Sequence, residues 1–232
     1  MAEATAVVPN HVGYIVDGNR RWGRQHGLPA YEGHLAGYNT LKDIVKATAA
    51  AGVKYISLYA FSAENWKRDQ SEVSNLMKLS LRVFKSDLNE FIAENLRLRV
   101  LGSYEGLSEA LIESIKNAEA ATAHLTGATV CICFNYGGQH EIVEAAKAAI
   151  ASGIAPDELT PENISDNLYA ADVPPIDLVV RTSGERRLSG FMLWRTAYSE
   201  FIFLEKYWPA MTSSDVTAIM DEYQKRSRRF GG

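Results

Sequence analysis

Four polar clusters in this 232-residue chain carry residue types that could do chemistry. They are Asp17-Gly18-Asn19-Arg20-Arg21-Trp22, Ser62-Ala63-Glu64-Asn65-Trp66-Lys67-Arg68, Asn135-Tyr136-Gly137-Gly138 and Arg181-Thr182-Ser183-Gly184-Glu185-Arg186-Arg187-Leu188-Ser189. Each stands at or just past the end of an apolar run that reads as a strand. Alone, each is an ordinary polar loop, and Asp-Gly-Asn turns close hairpins in many proteins. Together, with arginine in three of them, they suit an anionic ligand. Guanidinium forks bind phosphate oxygens bidentately and keep their charge, so Arg181 with Arg187 makes a diphosphate clamp, to which Ser189 can add a hydroxyl donor. Asp17 is a ligand for Mg2+, which binds few carboxylates together with substrate phosphates. Gly18 and Gly184 let backbone N–H groups approach a phosphate closely.

Other chemistries lack their signatures. There is no GxxxxGK[ST] and no GxGxxG, so neither a P-loop nor a dinucleotide fold is indicated. No His/Cys metal cluster, G-x-S-x-G elbow or Cys-His pairing stands out, and Mg2+ is the one cofactor implied. The net charge of −4, from 28 acidic and 24 basic residues, argues against a nucleic-acid binder. The local basic excess is the tail, Lys225, Arg226, Arg228 and Arg229. Cys131 and Cys133, two apart in an apolar run, share one strand face and read as small buried hydrophobes in a reducing, cytoplasmic setting. Met1 to Pro9 lack the basic and apolar regions of a signal peptide. No window approaches the roughly 20 apolar residues of a membrane span, so a soluble chain is expected.

The elements that must position these clusters follow from periodicity. With 47% hydrophobic and 22% charged residues, the chain can fill one large core. After the Val12 to Val16 strand and a break at Gly27-Leu28-Pro29, helical spacing runs from His34 to about Ala51, closed by Gly52. Lys54 to Phe61 is a second strand, and strand–helix–strand at this spacing implies a parallel sheet. Ser71 is the expected N-cap of a long helix to about Asn95. Arg97 to Leu101, Thr129 to Asn135, Asp177 to Val180 and Phe201 to Leu204 complete the strands. Helices are expected over 108–123, 141–152 and 215–229, with a loop-rich stretch over 153–175. The fold class is α/β: a single domain over 1–232, with residues 1–10 as a flexible N-terminus. Its central, mostly parallel sheet has about six strands flanked by helices. In such sheets ligands bind beyond the carboxyl ends of the strands, where all four clusters fall.

From about His11 to Gly232 the sequence resembles the cis-prenyltransferases, the undecaprenyl diphosphate synthase family. The resemblance rests on His11 to Trp22, Gly33-His34, Tyr59 to Arg68, Glu72-Val73 and Asn135 to Gly138. It continues through Asp177 to Glu185, Arg187-Leu188-Ser189, Trp194, Tyr198-Ser199-Glu200 and Trp208-Pro209. It implies condensation of isopentenyl diphosphate onto an allylic diphosphate such as farnesyl diphosphate, with each new double bond Z. It further implies that Asp17 carries Mg2+ and that Gly18, Arg20, Arg21 and His34 hold the allylic diphosphate. Arg181, Arg187 and Ser189 would then hold the diphosphate of isopentenyl diphosphate. Asn19, Ser62, Asn65, Trp66 and Arg68 would position substrate and take the proton, with Trp22 and Glu64 in the same substrate-binding motifs. Glu200 would assist the metal or a neighbouring site across a homodimer formed through the Phe191 to Trp208 segment. The helices at 34–51 and 71–95 would wall an apolar product tunnel, the lipid product would bring the enzyme to the membrane periphery, and Arg229-Phe230-Gly231 would reach an active site.

The chain departs from the common family pattern in ways that raise specific questions. Arg20 replaces a frequent glycine, and Ala30 stands where many members have an arginine on the allylic diphosphate, so Arg20 is a candidate to supply that charge. Asp69 replaces a proline, Gly190 replaces Asn or Asp, and Arg186 replaces a histidine used near the metal. Ala60, small on the strand beside the expected tunnel, favours a long, undecaprenyl-type lipid-carrier product, whereas Phe134 argues the other way. The rivals are a short-chain or irregular-coupling cis-prenyl synthase and a non-catalytic partner subunit. The latter class typically lacks the Asp-Gly-Asn turn that is present here.

Overall fold

The six apolar runs are rich in Val, Ile, Leu, Tyr and Phe on both alternating faces, the composition of strands covered from two sides. In the computed structural model, which describes residues 7–226, they form β1 (His11–Ile15), β2 (Tyr55–Ser62), β3 (Arg97–Leu101), β4 (Thr129–Tyr136), β5 (Leu178–Arg181) and β6 (Glu200–Phe203). The strands make one sheet in the order β3-β4-β2-β1-β5-β6, and every pairing is parallel. Between them run α1 (Asn19–Gln25), α2 (Ala30–Ala50), α3 (Gln70–Lys85), α4 (Leu88–Ala93), α5 (Glu109–Thr122), α6 (Gly138–Ala151), α7 (Pro161–Asp166) and α8 (Ser213–Lys225).

The two-residue period of the strands divides the core. Val12, Tyr14, Ile56, Leu58, Val130 and Ile132 face the larger cluster, which takes in Ile44, Phe84, Ile115 and Ile219 from the helices. Ile15, Tyr59, Val179, Cys131 and Cys133 face the other, with Phe191 and Met192. Both cysteines are free and buried, and burial pushes the Cys131 thiol up to about 12. Among the described residues, no helix is long and apolar enough to cross a membrane.

Several boundaries differ from those the periodicity predicts. Residues 19–25 form a short helix where the spacing suggests a turn. α2 starts at Ala30, four residues early, directly after Pro29, whose φ of −66° leads into the helix. The helix expected over 71–95 is two helices, with Asp69 rather than Ser71 at the N-cap. The break follows from Asp87, which accepts the Tyr38 hydroxyl from α2 and lies 3.7 Å from both Lys42 and Arg82. A carboxylate held there turns the chain, so that α4 buries Phe91. At the N-terminal side, Pro9 is buried and the Asn10 carbonyl accepts from the N–H groups of Lys54 and Tyr55 at 3.1 and 3.0 Å. Residues 1–6 and the tail motif Arg229-Phe230-Gly231 lie outside the described residues.

Two offset bulges sit where β2 and β4 approach the site. Tyr59 pairs with Cys133, Phe61 with Phe134 and Ser62 with Tyr136, which leaves Ala60 and Asn135 each as an extra, unpaired residue. Bulges re-aim side chains and recur beside active sites. Here the irregularity turns Ala60 outward from an otherwise buried run.

His11 at the other end of β1 is fully buried, with Nδ1 2.8 Å from the Pro174 carbonyl and Nε2 2.8 Å from Ser57 Oγ. Burial pushes its pKa down from 6.5 to about 4, with the Pro174 carbonyl opposing. The folded imidazole therefore stays neutral over a range in which the unfolded chain takes up a proton. Its contribution to stability is fully present above about pH 6.5 and is lost as the pH falls towards 4. Denaturant titrations should show about 2 kcal/mol of His11-dependent loss between pH 7.5 and pH 5. The His11→Gln protein should lack that component, and an unchanged pH slope would refute it.

Candidate active site

The strand order reverses between β1 and β5, because β2 lies on one side of β1 and β5 on the other. Loops leaving the carboxyl ends of two such strands diverge and leave a crevice. Asp17 follows β1, Arg181 ends β5, and the two side chains meet across that crevice. Arg181 Nη2 donates to Asp17 Oδ2 at 2.9 Å, while Arg21 Nη2 lies 3.0 Å from Asp17 Oδ1. Arg181 Nη1 also donates to Ser189 Oγ at 2.9 Å and to the Arg187 carbonyl. The backbone of Asp17 is pinned by the Thr182 hydroxyl, which donates to the Asp17 carbonyl at 2.7 Å. Burial pushes the Asp17 carboxyl up, but Arg181 and Arg21 outweigh it and hold its pKa below the usual carboxylate range. Asp17 is an anion at neutral pH.

Three spaces converge here. A cavity of about 780 Å³ is lined by Asp17, Ser62, Glu64, Asn65, Arg68, Arg181, Arg187 and Ser189. A second, of about 310 Å³, is lined by Asp17, Gly18, Arg20, Arg21, Arg24 and Arg68. A narrow apolar crevice of about 90 Å³ runs between α2, α3 and the sheet, past Tyr38, Leu41, Ala60, Leu76, Val83 and Phe134. Val16, Asn19 and His34 line all three.

Close packing of α1 on its neighbours sets this convergence. Gly18 precedes α1 with φ +103°, and a Cβ there would run into Ser183 Oγ and the Tyr207 ring. A Cβ at Gly33 or Gly37 of α2 would strike the Asn19 carbonyl or amide. Glu72, near the start of α3, gathers two arginines and a histidine. Arg68 lies 2.8 Å away, His34 3.2 Å and Arg20 3.3 Å. Burial lowers the His34 pKa, with Glu72 opposing, so that ring is a neutral partner at pH 7.

Most residues singled out by the sequence line these spaces. The cluster Asn135 to Gly138 does not, nor does Gly184, whose N–H donates to the Leu204 carbonyl at 2.8 Å. Neither do Trp22, Trp66 and Glu200. Trp22 stacks on His26 at 4.1 Å between ring centroids and lines none of them. Trp66 donates its indole N–H to Asn135 Oδ1 at 2.7 Å and lines a separate recess of about 350 Å³. Glu200 pairs with Leu178 at the start of β5, whereas Arg181 pairs with Phe203. That register puts Glu200 roughly 10 Å down the sheet from Arg181. Its carboxylate is 3.0 Å from Arg226, so one chain does not bring Glu200 to Asp17. Conversely, Arg24 lines the 310 Å³ cavity and Gln139, Gly190 and Leu193 the larger one. Arg24 follows Arg20 and Arg21 at helical spacing, a signal that becomes readable once 19–25 is seen to be a helix.

The donor set fits a magnesium ion. Among the described residues, no three His, Cys, Asp or Glu side chains gather as a self-sufficient metal site. A single ionised carboxylate between two phosphate-sized basic cavities is what Mg2+ uses, since it completes its octahedron with water and phosphate oxygens.

Comparisons with known proteins agree with this geometry. The family described as undecaprenyl diphosphate synthase, a prenyltransferase family, matches residues 15–231. An isoprenyl transferase of Listeria monocytogenes is 44% identical over 97% of this chain and 91% of its own. One from Thermotoga maritima is 42% identical over 97% of both chains. Among solved structures, lavandulyl diphosphate synthase from Lavandula x intermedia in complex with dimethylallyl diphosphate superposes with a TM-score of 0.92 at 32% identity, covering 97% of this chain and 99% of that one. A chain described as an undecaprenyl diphosphate synthase from Campylobacter jejuni gives 0.82 at 30% identity, with the same coverage. With matches this long, and with the arginines, the aspartate and the crevice at the strand ends, the chain belongs to the undecaprenyl diphosphate synthase family of isoprenyl transferases.

Proposed function

We propose that this prenyltransferase condenses isopentenyl diphosphate onto an allylic diphosphate such as farnesyl diphosphate and builds a long, undecaprenyl-type chain with Z double bonds. The observation that carries this reading is the convergence of two basic cavities and one apolar crevice on Val16, Asn19 and His34. The reaction needs those three spaces: two for diphosphates and one for hydrocarbon. In it, the allylic C1–O bond breaks and diphosphate leaves with the electron pair. C4 of isopentenyl diphosphate bonds to C1, and a proton is lost from C2. Arg20, Arg21, Arg24 and His34 would bind the allylic diphosphate, and Arg181, Arg187 and Ser189 the other. Ser62, Asn65, Arg68 and Asn19 would orient the reacting carbons and the departing proton. Asp17 would hold Mg2+, which when bound supplies charge neutralisation to the leaving diphosphate. Catalysis is then mainly positioning and electrostatics. A cytoplasmic homodimer touching the membrane through its product completes the reading. The exposed Tyr198 and the half-buried Phe201 and Phe203 near edge strand β6 suit a subunit contact.

A second reading, a short-chain or irregular-coupling synthase, draws on the crevice itself. About 90 Å³ is room for roughly three waters at about 30 Å³ each, far less than a long polyprenyl chain, which would require α2 and α3 to part.

The deciding experiment supplies labelled isopentenyl diphosphate, Mg2+ and a panel of allylic primers and sizes the products. Long Z-chains from farnesyl diphosphate are expected, and no incorporation with any primer would sink the enzyme reading. Asp17→Ala should lower turnover by on the order of 1,000-fold or more while the chain still folds. Arg20→Gly should raise the KM for the allylic primer about 10-fold, as expected for loss of one charged contact of about 1.4 kcal/mol. An unchanged KM would end the idea that Arg20 replaces the charge absent at Ala30. Ala60→Leu, filling the point where the crevice meets the larger cavity, should shift products to shorter chains with initiation retained.

A further inference from the structure

Asn135 lines neither diphosphate cavity, yet three of its side chain's four hydrogen-bonding positions are used. Nδ2 donates to the carbonyls of Ser103 and Glu105 at 2.8 and 2.9 Å, and Oδ1 accepts the Trp66 indole N–H at 2.7 Å. Two acceptors on one side and a donor on the other allow only one orientation of the amide. The residue is buried, is the unpaired bulge position of β4, and has φ +48°. Glycine would serve if only that backbone conformation mattered. An asparagine with both amide protons and its oxygen engaged indicates that the side chain is the purpose.

Its partners explain what it holds. Ser103 and Glu105 belong to the loop leaving β3, which is anchored in turn by the Ser103 N–H on the Asn135 carbonyl at 3.2 Å. Trp66 belongs to the single-turn 3-10 helix Ala63–Lys67, whose Glu64 and Asn65, with the flanking Ser62 and Arg68, line the 780 Å³ cavity. That turn is otherwise tied by the Ser62–Asn65 capping box, the Arg68–Glu72 pair and an edge contact of Trp66 on Phe61. The first two ties lie within the segment and its adjoining helix, and at its start Ser62 is held by its pairing with Tyr136 of β4. The Trp66 contacts reach the sheet, and the directional one ends on Asn135.

We propose that Asn135 is a positioning residue. Through the Trp66 indole it fixes the height of the Ser62–Arg68 segment over the larger cavity and so sets the orientation of the substrate bound there. The kinetic half of this proposal rests on the condensation reading above; the structural half does not.

The test pairs Asn135→Asp with Trp66→Phe and their combination. The aspartate keeps an acceptor for Trp66 but sets its other oxygen against two carbonyls. The phenylalanine keeps the ring and removes the N–H. In folded Asn135→Asp protein, amide hydrogen exchange over 62–68 should be faster by about 10-fold or more. The kcat with isopentenyl diphosphate should fall on the order of 100-fold, since misplacement by an ångström costs about that much. Trp66→Phe should lose on the order of 10-fold at an unchanged melting temperature. The double variant should be no worse than Asn135→Asp alone, because both act through one bond. A direct substrate contact by Trp66 would instead make the losses multiply, and that result overturns the proposal. Wild-type exchange over 62–68 in either folded variant also overturns it, whatever the activity. Should Asn135→Asp not fold, Trp66→Phe with native melting and wild-type kcat and exchange overturns it by itself. A wild-type protein inert towards isopentenyl diphosphate would instead sink the condensation reading and leave the exchange experiment to decide this one.

Discussion

The contact between Arg181 and Asp17 is the one on which the rest of the site depends. A guanidinium whose side chain is only 4% exposed cannot remain unpaired at tolerable cost, and the parallel sheet decides where its partner must be. β1 and β5 are neighbours in register, Ile15 beside Arg181, so the chain leaving β1 must offer an anion within two residues. Asp17 does so, with its backbone held by Thr182. Ser189 and the Arg187 carbonyl then organise around the same guanidinium. Arg21, one helical turn beyond Asp17, takes its second oxygen. The diphosphate-sized cavities lie on either side of this pair.

Much of this can be read from the residues. Alternating apolar runs give the strands, and polar clusters at their ends give one edge of the sheet as the site. Buried Cys131 and Cys133 follow from their two-residue spacing. What the residues do not reveal is directional. Trp66 and Glu64 sit two apart in one motif, yet only Glu64 lines the cavity, because a 3-10 turn sends neighbouring side chains to different sides. Glu200 is a matter of level along the sheet, which depends on the register of β6 against β5, and no local pattern encodes that. The break at Ser86-Asp87 depends on Tyr38, 49 residues away. The twin bulges at Ala60 and Asn135 likewise become visible only when two strands are laid side by side.

The head-group region is pre-organised. Arg20 and Arg68 rest on Glu72, Arg21 on Asp17 and Glu185, and Arg187 on Glu185. Exposed pairs such as Arg187–Glu185 add little stability, but they order long side chains, and on the reading proposed above that would lower the ordering cost of binding a diphosphate.

The hydrocarbon side is built differently, and the contrast bears on how a chain could grow there. α2 buries eight of its 21 residues, from Gly33 to Thr48. The opposite wall, α3, buries only Val73 and Phe84 of its 16 residues and ends at the Asp87 break. α3 carries Glu72 at the charged entrance and packs half-buried Leu76, Met77, Leu81 and Val83 against the core, beside a crevice of about 90 Å³. The Phe84 ring of α3 meets Phe134 of β4 edge-on at 6.4 Å between centroids, and both line the crevice, so on the long-chain reading proposed above this contact would have to part.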